Sequence, residues 1–168
     1  MVRETVRIEG LQGVLRTLQQ LPPEIVSKNG GPVRFALRKA AQVIQKEAIS
    51  NLERVIAEPN ADGEESSTGL LKKNIVLTRG RRNSFKGESF LVRIRSKRYP
   101  ESTGKKSVTT AQVGRLLEYG TETRAPMPWL RPAYAAKRGE ALQVFSVEIN
   151  KRLNSIQRRL ERANRVKT

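Results

Sequence analysis

The sequence predicts an α+β fold: a small, mainly antiparallel sheet packed by a long central helix and a long C-terminal helix. Three observations carry this. An apolar stripe at helical spacing runs from Val33 to Ile56, and a second runs from Leu142 to Leu160. Between them, Ile75 and Leu77, then Phe90, Val92 and Ile94, recur with the period of two expected of strands.

Taken in order, Thr5 to Glu9 reads as a short strand with Val6 and Ile8 on one face. Leu11, Val14, Leu15, Leu18 and Leu21 then recur at helical spacing until Pro22 and Pro23 stop the helix. Ser27 to Gly31 is a link, and Pro32 suits the first turn of the next helix, where its missing N–H has no partner to lose. In that helix Leu37, Ala40, Ala41, Ile44, Ala48, Leu52, Val55 and Ile56 keep one stripe, and the small Ala residues permit close packing.

Glu53, Glu58, Asp62, Glu64 and Glu65 gather acidic residues around a loop near 58–67 rich in Pro, Asn, Gly and Ser. The Asp, Gly and terminal Glu spacing of a calcium loop is missing, so a solvated acidic loop is expected and no metal. Leu70 to Thr78 includes a strand through Ile75 and Leu77, which pairs with Phe90 to Ile94 as an antiparallel hairpin. The connection near 79–88 is too long and charged for a tight turn, so Arg79, Arg81, Arg82 and Lys86 are expected on a projecting loop. A third mobile loop is expected near 97–110, ordering, like the second, on assembly.

Val113 to Tyr119 alternates Val113, Arg115, Leu117 and Tyr119 against Gly114, Leu116 and Glu118, and is read as a central strand covered on both faces. Gly120 leaves that strand sharply, Thr121 to Arg124 form a polar loop, and Pro126, Pro128 and Pro132 stiffen the exit. Pro132 marks a helix start near Leu130, with Trp129 at the junction. Two readings of Trp129 stand: a buried anchor of the terminal helix, or an exposed subunit anchor. Beyond Pro132, Leu142, Phe145, Ile149, Leu153, Ile156 and Leu160 form a helical seam. The polar side of its last part carries Lys151, Arg152, Arg158, Arg159, Arg162, Arg165 and Lys167 against Glu161 alone. That face is either solvated or turned toward a polyanion.

Chain length favours a single domain over 1–168. With no Cys and no His, disulfides, thiolate nucleophiles, zinc sites built on those ligands and imidazole bases all drop out. No paired constellation of Glu, Asp, Lys or Tyr replaces them, so neither an enzyme nor a cofactor is expected. No apolar run approaches the roughly 20 residues that span a bilayer. The start MVRETVRIEG has no signal-peptide core, and the protein is expected to be made in the cytoplasm. The formal charge of +17 attracts polyanions, yet aromatic residues make up only 5%, so stacking platforms are scarce. Charge on this pattern argues for contact with nucleic acid, not for reading its sequence.

The EYGT segment followed by P-x-PWLRPA, with IEGL at Ile8 to Leu11 and STGLLKKNI at Ser67 to Ile75, resembles a tail-completion or neck protein family of long-tailed bacteriophages. The motif residues are Tyr119, Gly120, Thr121, Pro128, Trp129, Leu130, Arg131 and Pro132. The resemblance implies a structural virion protein, made in the bacterial host, that finishes the tail and joins it to the head connector. It implies a homo-oligomeric ring, commonly sixfold, around the DNA channel, with head-connector and tail-tube proteins as partners. Arg79, Arg81, Arg82, Lys86, Arg158, Arg159 and Arg162 are the candidates to face that channel or a subunit interface, touching genomic DNA without sequence preference. The competing reading is a nonspecific nucleic-acid-binding protein.

Overall fold

The structure is a computed structural model that describes residues 31–57, 68–80, 88–100 and 107–165. Its elements are α1 (Gly31–Ala57), α2 (Leu70–Lys73), β1 (Ile75–Arg79), β2 (Phe90–Ile94), α3 (Thr110–Tyr119) and α4 (Leu130–Arg165). The fold is α+β, with an antiparallel two-stranded sheet in register from Ile75↔Ile94 to Arg79↔Phe90. Both long helices and the hairpin thus stand where the hydrophobic periodicity places them. The expected elements before Gly31, the acidic loop at 58–67 and residues 81–87 and 101–106 lie outside the described residues. No described helix is long and apolar enough to cross a membrane.

The chain divides into two compact units, one of residues 1–40, 80–89 and 139–168, the other of 41–79 and 90–138. In the first, Ala36 of α1 meets Ile149 and Leu153 of α4, with Val33 and Phe145 packed around them. The Arg152 guanidinium lies 3.7 Å from the Phe35 ring centroid. A long cationic stem thereby covers an aromatic face while its charge stays at the surface. Arg34 reaches Glu88 at 3.7 Å, and Gly80 N–H donates to the Ser89 carbonyl at 2.9 Å, continuing the hairpin ladder past β1.

The second unit holds the larger core: Ala48, Leu52, Leu71, Ile75, Trp129 and Ala133, with Val92, Ile94, Val113 and Leu117 partly buried against it. The inward residues of the hairpin are the apolar ones of the alternation, which is why the register is fixed. Two side-chain amides cross this core's edge. Gln45 Nε2 donates to the Ile75 carbonyl at 2.8 Å, and Asn51 Nδ2 to that of Trp129 at 3.1 Å, so α1 satisfies two backbone acceptors of its neighbours.

One expectation is overturned. Residues 113–119, read as a central strand, belong to helix α3. Its start is fixed by a capping box: the Thr109 side chain accepts from Gln112 N–H, and the Gln112 side chain accepts from Thr109 N–H. The buried positions Thr110, Gly114 and Glu118 recur every fourth residue, one face of a helix. None of the three is a large apolar residue, so this face leaves no apolar stripe, and over seven residues Val113 and Leu117 fit either period. The strand expected through Ile75 and Leu77 is present as β1, which follows the single turn of α2 and runs on to Arg79.

Thr110 joins α3 to the hairpin. Its hydroxyl donates to the Arg95 carbonyl at 2.7 Å and accepts from Lys97 N–H at 2.9 Å, while its own N–H donates to the Lys97 carbonyl at 2.8 Å. The described ends of the expected 97–110 loop are therefore tied together, with Arg98 bridging Thr109 antiparallel.

Candidate functional site

The motif residues converge on Glu118. At the end of α3, Gly120 adopts φ 77°, and a Cβ there would stand 2.7 Å from the Arg124 carbonyl oxygen. Only glycine suits this turn. Thr121 then closes a tight loop: its hydroxyl accepts from Arg124 N–H at 2.9 Å and its N–H donates to the Arg124 carbonyl at 2.9 Å. Met127 N–H returns to the Leu117 carbonyl at 2.8 Å, which brings Pro128 and Trp129 back beside α3.

There the Glu118 carboxylate, 5% exposed, receives the start of α4. Oε2 accepts from Trp129 N–H at 2.9 Å and Leu130 N–H at 2.8 Å; Oε1 accepts from Arg131 N–H at 3.0 Å and Arg131 Nε at 2.9 Å. A helix begins with four backbone N–H groups that have no partner within it. Three of these are bonded to Glu118, and the fourth does not exist because the residue is Pro132. A full negative charge also sits at the positive end of the helix dipole. Arg131 Nη2 donates to the Glu118 carbonyl at 2.9 Å, and its guanidinium lies 4.8 Å from the Tyr119 ring centroid.

Trp129 is 1% exposed, and its Nε1 donates to the Gly114 carbonyl at 3.3 Å. The structure thus selects the buried-anchor reading over the exposed subunit anchor. The approach is close on the other side too, since a Cβ at Gly114 would overlap Ile94 Cδ1. Burial by itself raises the Glu118 carboxyl; the N–H groups of Leu130, Trp129 and Arg131 and the Arg131 side chain outweigh it and hold the group below the usual carboxylate range. A carboxylate whose oxygens are filled by four donors and whose proton affinity is lowered is a structural anion and a poor general base.

Of the basic candidates, Arg79 ends β1 and is exposed, and Arg158, Arg159 and Arg162 are exposed on α4. Arg81, Arg82 and Lys86 lie outside the described residues. Lys151, Arg158, Arg162 and Arg165 follow one another by seven, four and three residues, which lines them up along the side of α4 opposite buried Ile149 and Leu153. At 1.5 Å per residue the row is about 21 Å long. Among the described residues no three His, Cys, Asp or Glu side chains are grouped to hold a metal ion. Sequence reasoning missed Glu118 as the centre of the motif; the signal available was the Thr-x-x-Gln cap, which turns the segment into a helix and puts Glu118 on the face of Gly114. The chain matches no protein-family model, no curated protein and no solved structure.

Proposed function

We propose that this protein is a structural component of a bacteriophage neck that completes the tail and joins it to the head connector, as a ring around the DNA channel. The observation that carries this reading is the joint itself. The EYGT and PWLRP segments, which bear the resemblance, are used to lock one helix start onto the end of another, and Glu118 at its centre is committed to hydrogen bonds. Such a joint suits a part that must hold its shape when docked between larger assemblies. On this reading partners are protein surfaces and the DNA that passes them, the site is the virion neck, and no chemistry is catalysed.

The row Lys151, Arg158, Arg162 and Arg165 favours a second reading, a nonspecific nucleic-acid-binding protein. A row of cations with no base-reading motif makes phosphate contacts and releases counterions, and four such contacts give a salt slope of about −3.6 on a double-logarithmic plot. Sedimentation and electron microscopy of the purified protein separate the two. Rings, or complexes with connector and tail proteins, support the neck role; a monomer that binds duplex DNA with that slope and never assembles supports the second. Within the neck reading, charge reversal at Arg158, Arg159 and Arg162 yields particles that assemble but lose DNA if the face lines the channel, and blocks joining if it forms an interface. Normal assembly, DNA retention and infectivity in that variant would overturn both placements.

A further inference from the structure

We propose that Leu116, Tyr119, Arg131 and Tyr134 form a docking surface for a partner protein that presents an apolar or aromatic side chain bordered by carboxylates. Leu116 and Tyr119 stand one turn apart on α3, and Arg131 and Tyr134 one turn apart on α4. The cation–π contact of Arg131 with Tyr119 joins the two pairs into one patch. Three of its members are large apolar or aromatic residues left open: Leu116 is 49%, Tyr119 65% and Tyr134 58% exposed.

The patch is preorganised. An exposed arginine ordinarily loses rotamer freedom on binding, but Nε and Nη2 of Arg131 are already held by Glu118, while its side chain remains 60% exposed. That ordering cost is met on folding, not on association. Tyrosine and arginine are also the residue types concentrated at the centres of protein interfaces.

Charge identifies the partner. Glu118 offsets Arg131, exposed Arg115 adjoins Leu116, and exposed Arg138 follows Tyr134 by one turn on the same side of α4. Exposed Glu140 falls on the side opposite Arg131, and the connection carries Arg124 against Glu122. The rim is therefore positive, and an acidic rim on the partner complements it. A second copy, with 33 Lys and Arg against 16 Asp and Glu, brings mostly like charge. A nucleic acid would set phosphates against Leu116. The inference does not depend on the neck reading.

The test uses the full chain on an immobilised array of short peptides, each with one Trp, Phe or Leu flanked by Asp or Glu. Control peptides carry Lys for the acids or Ala for the apolar residue. Capture is expected on the peptides that combine both features, and to fall about tenfold or more in the Tyr119→Ala/Tyr134→Ala double variant at unchanged melting temperature. Leu116→Ala, outside the cation–π contact, is expected to weaken capture independently. Absence of preference for the combined peptides, or undiminished capture by these variants, overturns the proposal. So does an equal loss of affinity for a DNA duplex in the double variant, which would make the patch a nucleic-acid surface.

Discussion

Glu118 and Arg131, thirteen residues apart, are joined by three hydrogen bonds: the Arg131 N–H and Nε donate to the carboxylate at 3.0 and 2.9 Å, and Nη2 donates to the backbone oxygen of the same residue at 2.9 Å. The pair fixes α3 to α4 while leaving one face of the guanidinium against the Tyr119 ring. Removing the carboxylate leaves three backbone donors and part of a guanidinium unsatisfied. Glu118→Ala is expected to cost about 3 to 5 kcal/mol, and Glu118→Gln less, because its amide oxygen still accepts. Urea unfolding of the two variants checks the order and the size.

The same group sets an acid limit. Its folded-state pKa lies below the unfolded value of about 4.3, so the unfolded chain binds more protons between the two values. The stabilisation is fully present above the unfolded pKa and is lost as pH falls through the folded one. The stability difference between wild type and Glu118→Gln is expected to be constant near neutrality and to shrink below about pH 4. Melting temperatures of both proteins across that range provide the measurement.

Trp129 fills the core of its unit and also donates one hydrogen bond. Trp129→Ala is expected to cost about 3 to 5 kcal/mol. Trp129→Phe keeps most of the buried ring and loses mainly the bond to Gly114, a change of about 1 kcal/mol. A wild-type melting temperature for the alanine variant would contradict the buried placement.

At Gly114, α3 packs directly against Ile94 of β2. Gly114→Ala is expected to destabilise by about 1 to 3 kcal/mol through overlap with Ile94 Cδ1, outweighing the helix propensity gained. Ile94→Val removes that methyl group, so the double variant should be more stable than the two single changes predict by addition. A double-mutant cycle reads the coupling directly, and additivity would show that the overlap is relieved elsewhere.

What the sequence made legible follows from where apolar residues were allowed to mark a face. In Phe90 to Ile94 the inward positions are apolar and Arg93 faces outward, so the strand and its inward face could be read from five residues. In α1 and α4 a stripe sustained over many turns leaves no competing period. In α3 the hidden face is Thr110, Gly114 and Glu118, chosen for a hydroxyl bridge, a close approach and a helix cap. Such a face carries no hydrophobic signal, and the segment was legible only through Thr109 and Gln112. Pro132 announced the start of α4, but the acceptor for the preceding N–H groups lies eleven to thirteen residues upstream. A relation at that distance has no period to betray it. The acidic and basic runs at 58–67 and 81–87 lie outside the described residues.

The first amides of a helix are normally its quickest to trade protons with solvent, because nothing holds them. Those of Trp129, Leu130 and Arg131 are held by a buried anion on another helix. Their exchange therefore waits for α3 and α4 to part, and these three protons form a built-in clock for the opening of that joint, distinct from fraying at the far end of the same helix.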